Sequence, residues 1–318
     1  MTSAAWRHRG GHAACLLLLI GIAGPAAPQV PPPYRISVNV DLVVLHATVR
    51  DRKNGFASDL SKQDFTVYES GIRQTIRLFQ HEDVPVAVGL VVDHSSSMRP
   101  KMMDVIAAAR TFVSFSNPQD QMFVVNFNEK VTMGLSREIL FTNRADQLES
   151  AILHAPVSGQ TALYDAVAEA LARLQTSDRD KKVLIVISDG GDNASSHTLR
   201  EVLNLAGQSS AMVYAIGIFD KDDPDSNPDV LRRIARATGG EAFLPGEPKE
   251  INAICEHIAR DIRHQYTIGY LPAPAARRGA FRSIRVEANS AGHGKLIVRA
   301  RTGYIAAERN SAQQEGVQ

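Results

Sequence analysis

The spacing of hydrophobic positions along the 318-residue chain changes rhythm twice. From residue 34 to 79 the runs are short and strand-like. Residues 35–50 (RISVNVDLVVLHATVR) place Ile36, Val38 and Val40 on one parity before shifting, and a turn follows at Lys53-Asn54-Gly55. Further runs at 65–69 and 74–79 flank Ser70-Gly71, a hairpin signal. From Pro85 onward, apolar strands at 86–92, 122–127, 183–188 and 212–218 alternate with helical periodicity at 102–115, 145–153, 163–174, 199–205 and 230–237. Residues 131–135 return after the tight Asn128-Glu129-Lys130 connection, which predicts an antiparallel edge hairpin. Beyond 241–244, a helix is expected at 250–263. Strand-like sequence then resumes at 266–271, 281–288 and 295–300, interrupted by an exposed loop rich in Pro, Ala and Arg at 272–279.

Continuous apolar strands between amphipathic helices predict an α/β, Rossmann-like, doubly wound and mostly parallel sheet with both faces covered. The β segments at the two ends are each too short to bury a good sheet alone. They are therefore expected to pair into one small β-sandwich, with the α/β domain inserted between them. The expected layout is a signal peptide at 1–27, the first half of the sandwich at 34–83, the α/β domain at 84–246, a connecting helix at 247–264, the second half of the sandwich at 265–306 and a disordered tail at 307–318.

The first segment has the composition of an export signal. Arg7, His8 and Arg9 precede an apolar run at 13–23, and small residues with a proline follow at 24–28, predicting cleavage near Ala26 or Ala27. No later run approaches the roughly 20 apolar residues a spanning helix needs, so no stable transmembrane anchor is expected, and the protein should be secreted or held in the periplasm or cell envelope. Lys plus Arg number 35 and Asp plus Glu 34, a net charge of +1 that gives no general attraction to nucleic acid or an anionic membrane. Of the two cysteines, Cys15 leaves with the signal. Cys255, between Ile254 and Ile258 on a helical pattern, is then a small buried apolar residue, and neither a disulfide framework nor a thiolate metal site can be built.

Ligands in open parallel sheets bind at the carboxyl ends of the strands. There the run at 86–92 ends in an acid and three serines, with Asp93, Ser95 and Ser97 alternating so that a tight loop can turn all three oxygens toward one point. Two further loops supply similar groups: Ser158-Gly159-Gln160-Thr161 and Ser188-Asp189-Gly190-Gly191-Asp192. Hydroxyls and carboxylates without nearby cysteine or paired histidine favour a hard cation. Few charged ligands and tight octahedral geometry favour Mg²⁺, with Mn²⁺ or Ca²⁺ as alternatives.

These three loops in register resemble the metal-ion-dependent adhesion site of von Willebrand factor type A domains, over residues 84–243 and with no member of the five-residue set missing. The resemblance implies that Ser95, Ser97 and Thr161 bind the metal directly while Asp93 and Asp189 act largely through water. The flanks "DFTVYESGIRQTIRLF" and "RHQYTIGYLP" with "RTGYIAA" are similar to those of the bacterial secreted proteins called VWFA-related, described chiefly from acidobacteria. A cation held mostly by neutral hydroxyls keeps much of its charge and seeks another oxyanion. The expected function is therefore an exported, non-catalytic binding protein whose metal is completed by an acidic side chain of a protein or matrix partner.

Blander accounts exist for each part. Asp93 to Ser97 could be a capped turn and Thr161 a helix N-cap, while Asp192 and Asn193, close to Asp189, could assist a ligand or water but are better taken as turn residues. The stretch 220–229 (DKDDPDSNPD) lacks the glycine and terminal glutamate of a calcium loop, and is better taken as a solvated loop ending in an Asn227 cap with Pro228 opening a helix. His257 and His264 lie two turns apart, too distant to share a metal easily, and Arg232, Arg233 and Arg236 make a solvated helix face. Two rival functions are a hydrolase using Ser95 or Ser97, for which no suitably placed general base is evident, and a structural protein whose metal only braces the loops.

Overall fold

The structure is a computed structural model that describes residues 42–219, 225–274 and 279–306. The signal peptide, the beginning of the 35–50 run, most of the acidic stretch before Asp225, a portion of the Pro-rich loop and the tail lie outside the described residues. In chain order the strands and helices are β1 (Val43–Arg50), β2 (Phe65–Glu69), β3 (Ile72–Gln74), β4 (Ile76–Gln80), β5 (Val86–Asp93), α1 (Met102–Ser114), β6 (Gln121–Phe127), β7 (Val131–Met133), α2 (Ala145–Leu153) and α3 (Leu163–Gln175). Then come β8 (Lys181–Ser188), α4 (Leu199–Gln208), β9 (Met212–Gly217), α5 (Pro228–Thr238), β10 (Ala242–Phe243), α6 (Ile251–Arg263), β11 (Tyr266–Tyr270), β12 (Phe281–Ala288), β13 (Ile297–Arg299) and β14 (Gly303–Ile305).

The central sheet has the order β10-β9-β8-β5-β6-β7 and is parallel except for β7, which turns back along β6 as an antiparallel edge. All eight residues of β5 are buried, because a central parallel strand has helices on both faces. Its parity divides them. Val86, Val88, Leu90 and Val92 enter one core with α1, α2 and α6, whereas Ala87 and Val91 enter the other with α3, α4 and α5. Each fully buried Val, Leu or Ile in these layers stabilises the fold by about 1.5–3 kcal/mol. The helix ends follow local chemistry. Asn227 caps α5 ahead of Pro228, as the sequence predicts, and Thr198 and Glu201 form a capping box at α4.

The helix set apart in the sequence as a connector has a larger role. Ile251, Cys255, Ile258, Ala259 and Ile262 of α6 pack in the same core as α1, so this helix is a covering element of the central sheet.

The flanking strands build two four-stranded sheets, β13-β1-β11-β4 and β14-β12-β2-β3. Every ladder in them is antiparallel, with Leu45 opposite Ile268 and Val67 opposite Val286. Leu45, Val49, Phe65, Val67, Tyr266, Ile268 and Ile284 share one core. The run at 74–79 is not one strand as its pattern suggests. It divides at Thr75 between β3 in one sheet and β4 in the other. The buried Gln74 side chain fixes the crossing, since its amide exchanges hydrogen bonds of 3.0 and 2.9 Å with the backbone of Ala273. Among the described residues no helix is long and apolar enough to cross a membrane.

Candidate metal centre

The carboxyl end of β5 delivers Asp93 into the interior with no exposed surface. A carboxylate there must be satisfied locally, and it is. Oδ1 accepts the Ser95 amide at 2.8 Å, bending the chain into a turn, and Oδ2 accepts the Ser188 hydroxyl at 2.6 Å from the end of neighbouring β8. The turn runs into a 3₁₀ segment, Ser96–Lys101, that leads into α1. Ser95 Oγ and Ser97 Oγ lie 3.1 Å apart, and Ser97 Oγ donates to Asp189 Oδ2 at 2.6 Å. The first and third loops are thus joined through Asp93, Ser95, Ser97 and Asp189 in one hydrogen-bonded chain.

Thr161 reaches this group through backbone. Its loop is tied to the serine turn by Ser158 N to His94 O at 2.9 Å and by Gly159 N to Ser96 Oγ at 3.1 Å. On its other side, Thr161 N donates to Asn193 Oδ1 at 2.9 Å, and the amides of Asn193 and Ala194 donate back to Thr161 O. The residue at the α3 N-cap is Ala162, and no side chain caps that end, so Thr161 is not the helix cap its position suggests. The structure gives Thr161 a place in the same buried loop cluster, with 7% of its surface exposed, and gives no direct contact from its hydroxyl to the serines.

Several residues noted in the sequence as loop, turn or cap residues have roles there that the sequence does not assign. Ser188 bridges Asp93 to the next strand and accepts the Gly190 amide at 3.0 Å. Asn193 clamps Thr161. The third loop is held from outside by Asn227, whose amide donates to Asp189 O at 3.0 Å. Gly190 sits at φ +79°, and a Cβ there would lie 2.3 Å from the Asn227 carbonyl oxygen, so glycine is required at this crossing. Apolar periodicity does not reveal such crossings; only the polar residues after each strand hint at them.

The electrostatics follow from burial. Desolvation pushes the Asp93 carboxyl up to about 6, against hydrogen bonds from Ser188 and Ser95 that favour the charged form, and the nearby Asp189 charge adds to the rise. Among the described residues neither Asp93 nor Asp189 lies within ion-pair distance of a Lys, Arg or His side chain. The buried Lys101 donates instead to the Ile218 carbonyl at 3.0 Å, and His94 Nε2 pairs with Asn126 Oδ1 at 3.0 Å. Among the described residues no three His, Cys, Asp or Glu side chains cluster tightly enough to hold a metal. A metal here depends on hydroxyl donors. Two buried carboxylates linked through Ser95 and Ser97, with no ion pair to either among the described residues, fit a hard divalent ion.

The sequence profile of the von Willebrand factor type A domain matches residues 88–256, more than half of the chain. The chain belongs to the von Willebrand factor type A domain family. Domains of this family are generally non-catalytic binding and adhesion modules, and commonly hold a divalent metal at the metal-ion-dependent adhesion site. Among solved structures, a von Willebrand factor type A protein from Catenulispora acidiphila is 15% identical, covering 86% of this chain and 76% of its own, at a TM-score of 0.48. The vWF domain of the type V pili tip protein Mfa5 from Porphyromonas gingivalis is 17% identical, covering 57% and 95%, at 0.48. The open conformation of the pilus adhesin SpaC from Lactobacillus rhamnosus GG is 12% identical, covering 81% and 49%, at 0.47. No protein of curated function matches the chain.

Proposed function

We propose that this von Willebrand factor A protein is exported and recognises a protein or matrix partner through a divalent cation, Mg²⁺ by chemistry, at Asp93, Ser95, Ser97, Thr161 and Asp189. The observation that carries this reading is the hydrogen-bonded chain linking two buried carboxylates through Ser95 and Ser97, neither carboxylate being ion-paired to a side chain among the described residues. The hydroxyls of Ser95, Ser97 and Thr161 and the carboxylates of Asp93 and Asp189 would hold the ion. Bound there, it would supply a positive centre for an oxyanion. Ser188 and Asn193 keep the donors in place, and a partner Asp or Glu is the ligand that a hard, incompletely neutralised cation prefers. Export rests on the charged, apolar and small-residue order of residues 1–27.

The test has two stages. Calorimetric titration with Mn²⁺ and Mg²⁺ should detect one site, lost in Asp93→Ala; no divalent uptake would remove the basis of the proposal. Capture from the source organism's envelope and medium should then yield complexes that EDTA and Asp93→Ala both dissolve. Capture indifferent to both would assign recognition to another surface, and a metal that raises the melting temperature without changing capture would mark a loop-bracing role.

A further inference from the structure

The contact between α6 and β1 has chemistry that the metal site does not use. Asp261 of α6 has no exposed surface and receives Arg50 of β1 at 3.0 Å, together with Arg299 of β13 and the Tyr214 hydroxyl of β9. One turn earlier on α6, His257 Nε2 lies 2.6 Å from the same Arg50 Nη2. A guanidinium can only donate, so Nε2 must be the accepting, unprotonated nitrogen of a neutral imidazole. Arg50 Nη2 is pinned between these two acceptors of α6 while its Nη1 donates to Asn54 Oδ1 at 3.1 Å, and the guanidinium lies over the Phe56 ring, its carbon 4.9 Å from the centroid. Phe56 also stacks on His264 at 4.6 Å, and Phe243 of β10 meets His257 edge-on at 5.5 Å.

We propose that the His257–Arg50–Asp261 cluster is an acid-sensitive latch, in which a proton on His257 releases α6 from β1 of the sandwich. Protonation removes one of the two acceptors that α6 offers Arg50 and places an imidazolium against a guanidinium. The charges facing His257 are Arg50 from β1, Arg299 from β13, Asp261 on its own helix, and Glu241 ahead of β10. Burial and Arg50 hold the imidazole below its usual value, against the opposing pull of Asp261 and Glu241. A lowered histidine contributes stability that is complete above the unfolded value near 6.5 and is lost as pH falls through the folded one. The latch therefore closes at neutral pH and weakens in acid.

The experiment compares the wild-type protein with His257→Gln, whose amide oxygen can accept from Arg50 but does not titrate at mild pH. Hydrogen exchange of the α6 amides is measured for both at pH 7.5 and 5.0, so that intrinsic rates cancel in each pair. Equal protection is expected at pH 7.5, and exchange about three- to thirtyfold faster in the wild type at pH 5.0, within the limit of tenfold per pH unit set by one proton. Equal rates at both pH values would overturn the latch. Should the Gln variant fail to fold, the imidazole of wild-type His257 followed by NMR decides the matter: a midpoint below 6.5 supports the proposal, and one at or above 6.5 refutes it.

Discussion

Two glycines with nearly the same backbone angle separate the cost of a left-handed residue from the cost of a backbone collision. Gly71, in the turn between β2 and β3, has φ +82° and open space around any added Cβ; Gly190, beside Asp189, has φ +79° and faces the Asn227 carbonyl oxygen at 2.3 Å. Alanine at either site pays about 1–2 kcal/mol for the left-handed conformation, less about 0.4–1 kcal/mol recovered from a stiffer unfolded chain. Gly71→Ala should therefore lose about 1 kcal/mol. Gly190→Ala adds overpacking of about 1–3 kcal/mol and puts the hydrogen bond from Asn227 N to Asp189 O at risk, for a total of about 3–5 kcal/mol. Urea unfolding followed by circular dichroism in the presence of EDTA measures both. Mn²⁺ titration should then show at least about tenfold weaker uptake in Gly190→Ala alone, because the same shift moves Asp189. Losses within about 0.5 kcal/mol of each other, or unchanged Mn²⁺ uptake in Gly190→Ala, would refute the argument that the 227 segment fixes the third loop.

Asp261→Ala leaves Arg50 and Arg299 without the carboxylate they share, and should cost about 3–5 kcal/mol in urea unfolding at neutral pH. A loss below about 1 kcal/mol would mean that water replaces the carboxylate freely. In EDTA, the raised Asp93 carboxyl makes folding more favourable below its unfolded value near 3.9 and progressively less so as pH rises through about 6. Asp93→Asn should remove that slope, leaving the metal-free variant more stable than wild type at pH 7.5 by up to about 3 kcal/mol while losing metal uptake; a less stable variant would contradict the burial argument. Cys255 is buried in the α6 core and its thiol is pushed up to about 12 by desolvation, so a thiol reagent should label it only as the protein unfolds.

The central sheet is legible in the sequence because parallel strands buried on both faces must be continuously apolar, as in 86–92 and 183–188, while their covering helices keep a 3.6-residue period. The three loops are legible for a related reason. Oxygen-bearing residues packed against the ends of such strands have no core role to explain them. What stays hidden are tertiary decisions made by single residues. Periodicity cannot tell that Thr75 carries the chain from one sheet to another, since β3 and β4 together look like one strand. Nor can it show that α6 belongs to the core, because an amphipathic helix has the same pattern whether it links two domains or covers a sheet. Thr161 looks like a helix cap in isolation, and only the Asn193 clamp distinguishes it. Arg50, His257 and Asp261 meet across more than two hundred residues of chain, and no local pattern anticipates that they converge.

The pairing of β1 and β4 has a consequence for synthesis. Among the described residues the ladder neighbours of β1 are β11 and β13 and that of β4 is β11, so apart from the bridge of Arg50 to nearby Phe56 their partners come from the far end of the chain. During elongation these two hydrophobic segments emerge before the α/β portion, and must wait for it and then the final strands to leave the ribosome. Contacts of such long sequence separation close slowly and leave unpaired edges open to aggregation in the interval. A truncation that removes only β11 to β14 would strand them permanently, and a recombinant α/β fragment should begin after β4.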